Sequence, residues 1–168
     1  PFANPIELPP PTIAANENSK KPIEILPSEF IANPFLLAFL KQSAEDMSCI
    51  SGFYEESAIM SITSEKSTDL IQYQPYTRSL MNNINNFVQG QEEICEFCLE
   101  VFGNSIDFKI TKIQANEVVE NGYLMVLHGY FEDQQQLTIG FDRTLLIGQD
   151  EESFFISNDQ IHLRSFDE

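Results

Sequence analysis

A chain of 168 residues with 42% hydrophobic content suits one domain with an extended arm, and its apolar content is enough to build an ordinary core. Nine basic against 26 acidic residues give a net charge of −17, which argues against phosphate tracking by this chain alone, because nucleic acid would meet it with long-range repulsion. No apolar run approaches the roughly 20 residues that cross a bilayer, and Cys49, Cys95 and Cys98 are too few and too oddly numbered for a disulfide framework.

These features read as a soluble intracellular chain in a reducing compartment, with no membrane partner. The N-terminus lacks the charged and apolar regions of a signal peptide, and a start at Pro1 rather than Met reads as a fragment of a longer protein.

Residues 1–29 hold most of the nine prolines and read as an extended arm, with Ile6, Leu8, Ile23, Ile25 and Leu26 available to be pinned in surface grooves of the domain at 30–166. Ser28 or Asn33 caps a first helix, with Pro34 in its first turn; Phe35, Leu36, Leu37, Phe39 and Leu40 form its apolar stripe, and it ends near Ser43. A second helix is expected from Glu45 and Asp46 through Met47, Ile50, Phe53 and Tyr54. Ala58 to Ile62 alternates as a first strand. Residues 64–78 are polar and irregular, Leu80 to Val88 recurs at helical spacing, and Gln91 to Phe102 makes a better helix stopped by Gly103. Ile106 to Ile113 alternates as a further strand.

From Gly122 to Arg164, four apolar runs separated by short polar connections predict an antiparallel meander, with Asn158 and Asp159 forming a tight hairpin turn. The first run is apolar on both alternating faces: Leu124, Val126 and Tyr130 against Tyr123, Met125, Leu127 and Phe131. Such a strand asks for two covers, helices of the same chain on one side and a second sheet, of this chain or of another protein, on the other. Arg143 lies on the otherwise apolar face of Ile139, Phe141, Leu145 and Ile147, so it either finds a carboxylate or sits at the sheet margin in solvent. The order of elements is α+β, with helices on one face of a strongly bent antiparallel sheet.

Catalytic chemistry would call on His128, Asp142 or His162, but spacing brings no acid and base together, so no catalytic residue is assigned. Cys95 and Cys98 have the spacing of half a zinc site; the other half is missing, so no metal or cofactor is expected.

Phe141 to Ile147 (FDRTLLI) followed by Phe154 to Arg164 (FFISNDQIHLR) resembles the end of the nuclear transport factor 2-like domain of the general mRNA export receptors of the TAP family and their fungal counterparts. Tyr54 to Ile62 (YEESAIMSI) resembles the helix-to-strand junction of those receptors, and Tyr76 to Ser79 (YTRS) their Ser-Arg-Asn segment. The resemblance implies the cone of that fold, and a non-enzymatic role as a heterodimerisation module. In that reading the sheet pairs with a small partner of the same fold, and the pair touches Phe-Gly repeat nucleoporins while shuttling between nucleus and cytoplasm. mRNA is reached only through other domains or the partner. The alternative for this fold is a small-molecule isomerase or dehydratase using the cone cavity. For the partner surface the reading selects Tyr123, Met125, Phe141, Arg143 and Phe155, with Arg78 at the edge, and leaves open which alternating face looks outward.

Overall fold

Pro34 lies in the first turn of α1 (Asn33–Glu45), the first element of a computed structural model that describes residues 33–77, 87–117 and 122–166. The helix runs past Ser43, whose hydroxyl turns back onto the Phe39 carbonyl at 3.1 Å instead of leaving the helix. Asp46 then stops it: its extended backbone (φ −160°) lets the side chain accept from the Ser48 amide and cap a 3-10 turn over Met47–Cys49. A second 3-10 turn covers Ser51–Phe53, so the expected second helix does not form. The spacing of Met47, Ile50 and Phe53 is the i, i+3 repeat of a 3-10 helix, which a reading at helical period takes for α-helix.

Strand β1 (Tyr54–Ser64) follows at once and is longer than the expected 58–62. The irregular stretch contains a 3-10 segment, Thr68–Tyr76, capped by Ser67 and buried through Leu70 and Tyr73. Most of the helix expected over Leu80 to Val88 lies outside the described residues. Its end is strand instead: β2 (Phe87–Gln89) pairs antiparallel with β1. Helix α2 (Gln91–Phe102) keeps its expected bounds, between Gly90 and Gly103, both at positive φ (113° and 86°). β3 (Lys109–Glu117) starts later than expected and runs further, although Ile106 and Phe108 before it are already buried.

β4 (Gly122–Glu132), β5 (Thr138–Asp150) and β6 (Ser153–Ser165) form the meander, and the sheet order is β2-β1-β6-β5-β4-β3. Two expectations change here. β1 lies parallel to β6, so the sheet is mixed rather than antiparallel throughout. Asn158 and Asp159 are not a turn but the middle of one 13-residue strand. The last two apolar runs are thus a single strand, kept in phase by a one-residue bulge: Ile147 faces Ile156 while Leu146 faces Asn158, leaving Ser157 extra, its hydroxyl on the Leu146 carbonyl. Further register shifts between Tyr54 and Ile59 and at Ile110–Lys112 bend the sheet around the helices.

The β4–β5 turn is held by Asp133, whose carboxylate accepts from the amides of Gln135 and Leu137 and from the side chains of Gln72 and Tyr73. Burial and this carboxylate push the Tyr73 phenol well above its ordinary range. The core fills the concave side, from Leu36 and Phe39 of α1 and Ile94 and Cys98 of α2 to Met125, Leu127, Phe131, Phe141, Leu145 and Leu163 of the sheet.

Candidate functional site

Arg143 does find a carboxylate, but within its own chain. Its Nε and Nη2 meet the two oxygens of Asp159 at 2.9 and 2.7 Å, and the Tyr54 hydroxyl donates to the same carboxylate at 2.6 Å. The guanidinium is 2% exposed and lies between the rings of Phe39 and Phe108, 4.9 and 5.0 Å from their centroids. Burial disfavours its charge, yet the Asp159 pairing outweighs that and holds the guanidinium protonated. Burial first, and then the Asp159 charge, push the Tyr54 phenol upward. This constellation ties α1, β1, β5 and β6 together beneath the sheet.

The alternation that buries Arg143 decides the fate of the other selected residues. Tyr123, Met125 and Phe141 share its concave side; Met125 and Phe141 are fully buried and Tyr123 packs against the core, so these four are not direct contacts for a protein docking on the opposite face. Of the five that the structure describes, Phe155 alone points to the outer face, across from Gly148. Arg78 lies outside the described residues.

The outer face is built in cross-strand rows. At one end Ile59, Asn158, Leu146 and Leu124 align across β1, β6, β5 and β4, with Phe155 beside them over Gly148. Next come Ser61, Gln160, Thr144, Val126 and Gln114; then Thr63, His162, Asp142 and His128. This last row is hydrogen-bonded. Thr63 Oγ1 and His162 Nδ1 are 2.9 Å apart, His128 Nδ1 lies 2.6 Å from Asp142 Oδ1, and Arg164 Nε donates to Asp142 Oδ2 at 3.1 Å. Partial burial works against the Asp142 charge, but the bonds from His128 and Arg164 prevail and hold its carboxyl below the ordinary value of 3.8.

Two glycines flatten this surface. A Cβ at Gly148 would lie 2.6 Å from the Phe155 ring, and one at Gly140 would lie 2.7 Å from Arg164 Nη1, so both side chains rest across β5 where only hydrogen stands. In an acidic chain, the outer face carries Lys112, Arg164 and two histidines around one carboxylate, Asp142. Apart from a hollow of about 130 Å³ lined by Ser61, Thr63, Asp142, Thr144, Gln160 and His162, this half-buried surface spreads apolar and hydrogen-bonding side chains across neighbouring strands, as packing against a second sheet requires.

Two other features complete the inventory. A cavity of about 530 Å³ opens between α1 and β3, walled by Leu36, Leu37, Leu40, Phe108, Ile110 and Ile113, with Asp107 and Lys109 paired at 2.7 Å on its exposed rim. Cys98 is buried with its Sγ 3.4 Å from Met60 Sδ, whereas Cys95 bonds to the Met47 and Ser48 carbonyls; burial pushes both thiols up. Among the described residues no three His, Cys, Asp or Glu groups come together to hold a metal ion, and no helix is long and apolar enough to cross a membrane.

The model of the nuclear transport factor 2 (NTF2) domain matches residues 31–163. The chain belongs to the NTF2 domain family. Solved structures agree on this NTF2 fold at low identity. The yeast Ubp3-associated protein Bre5 superposes with a TM-score of 0.59 at 19% identity, covering 79% of this chain and 93% of that one. A chain of the C. albicans Mtr2–Mex67 M domain complex gives 0.62 at 17%, covering 79% and 92%, and nuclear transport factor 2 from Cryptosporidium parvum gives 0.58 at 16%, covering 77% and 89%. No curated protein matches the sequence. The expected NTF2-like cone is therefore the fold of this chain.

Asp159 is the residue that sequence reasoning missed, because an Asn-Asp pair signals a turn; the phase of Arg143 was the available clue. Leu124, Val126 and Leu146 were equally legible, as the apolar residues in phase with Gly140, Asp142 and Gly148.

Proposed function

We propose that this chain is a heterodimerisation module of an mRNA export receptor, pairing through the outer face of its sheet with a small partner of the NTF2 fold. The observation that carries the reading is the row of Leu124, Leu146 and Phe155 over Gly148, half-buried apolar side chains on the outer face that a second sheet would cover. Two of the similar folds come from structures described as complexes, Mtr2 with the Mex67 M domain and Ubp3 with Bre5, which supports a partner-binding role. The pair would touch Phe-Gly repeat nucleoporins and shuttle between nucleus and cytoplasm, with mRNA held by other domains or by the partner.

Co-expression with a small NTF2-fold subunit of an export receptor tests this. A one-to-one complex burying well over about 1,200 Å² is expected, and Leu146→Glu should abolish it while the domain melts as before. A complex indifferent to Leu146→Glu, or no complex, would overturn the reading. The 530 Å³ cavity supports a second reading, a small-molecule isomerase or dehydratase. Its wall is mainly apolar, so turnover of a small carbonyl or hydroxy substrate that dies with a bulky Leu40→Trp replacement would favour it.

A further inference from the structure

The cavity between α1 and β3 is a groove along a free sheet edge. Among the described residues β3 hydrogen-bonds only to β4 and no strand covers its other side. The groove floor is apolar through Phe108, Ile110 and Ile113, while Leu36, Leu37 and Leu40 of α1 form the facing wall. An open strand edge beside an apolar trough accepts an extended segment, whose backbone satisfies the edge and whose alternate side chains fill the trough.

We propose that residues Ile23–Leu26 of the same chain occupy this groove as a short added strand beside β3. Length and placement point to this occupant. The 32 residues before Asn33 join the chain at the first turn of α1, the helix that forms the groove wall. The intervening residues 27–32 span at most about 22 Å, a little more than the length of α1 itself, so Ile23–Leu26 reach any point along that wall. The chemistry fits as well. Pro22 and Pro27 bracket four residues that keep their amide donors, and proline cannot extend the pairing at either end. Ile23 and Ile25 fall on one alternating side, toward the apolar trough, and Glu24 and Leu26 on the other.

Photo-crosslinking in the full chain tests the proposal, with Leu37→p-benzoylphenylalanine as the probe. The expected product is an intrachain crosslink to the peptide containing Ile23–Leu26, independent of protein concentration. It should fall to background in the Ile23→Ser, Ile25→Ser, Leu26→Ser variant and survive in the Ile6→Ser, Leu8→Ser variant. Hydrogen exchange gives a second readout: the amides of residues 109–113 should exchange faster in the triple variant than in the unaltered chain. A crosslink between chains would assign the groove to a second copy, and a crosslink to any other segment, or none, would leave it to another ligand; each of these overturns the proposal.

Discussion

Arg143 donates two hydrogen bonds to Asp159 in a space where neither side chain is more than 2% exposed, so removing one partner strands the other charge. Arg143→Ala should therefore destabilise the domain by about 3–5 kcal/mol, read as a lowered urea midpoint, rather than weaken partner binding in a folded domain. Replacing both, as Arg143→Met with Asp159→Leu, should recover much of that loss. A folded Arg143→Ala domain with unchanged melting would contradict the buried pairing. Asp142 gives a second residue-scale expectation. Its folded carboxyl titrates below 3.8, so the stability it contributes is present above that value and is lost as pH falls through the lower folded one. Asp142→Asn should flatten the acid limb of the stability profile below about pH 4. The effect is small, because the pair to Arg164 is one-third exposed on both sides. Acid denaturation curves of the two proteins should diverge above that window only by a constant.

At the scale of elements, the glycines of β4 and β5 separate packing from surface. A Cβ at Gly129 would stand 1.8 Å from the Lys109 carbonyl oxygen, where the β3 register shifts, and backbone cannot step aside. Gly129→Ala should cost about 2–3 kcal/mol in thermal or urea unfolding. Gly140→Ala meets only the long side chain of Arg164, which can turn aside, so it should cost less than about 1 kcal/mol while loosening the Arg164 bond to Asp142. Equal effects of the two substitutions would undermine the distinction. Element existence was largely legible: α2 kept its expected bounds because two glycines punctuate it, and β4 was visible from its doubly apolar run. The turns around Met47 and the strand through Asn158 were not, because 3-10 and α spacing overlap for short runs, and because a bulge lets an Asn-Asp pair continue a strand.

For the whole molecule, charge and apolar surface make separate demands. With a net charge of −17 the chain should show no RNA retention in filter binding even at low salt, and tight, steeply salt-dependent retention would contradict this. The outer face, with Leu124, Leu146 and Phe155 half-buried, should bind an apolar dye in the isolated chain and lose that binding in the proposed heterodimer.

Sequence by itself determined the α+β class, the doubly apolar β4 and the α2 helix, since each follows from residue type and local period, while it left Arg143 between a buried carboxylate and the solvated sheet margin. Tertiary structure decided which face of the sheet was core, because alternation divides a strand into two sets without saying which one meets the helices. That choice moved Tyr123, Met125, Phe141 and Arg143 inward and left Phe155, with Leu124 and Leu146, on the surface open to a partner. It also supplied Asp159, brought to Arg143 from the next strand by a single-residue bulge that no local propensity encodes.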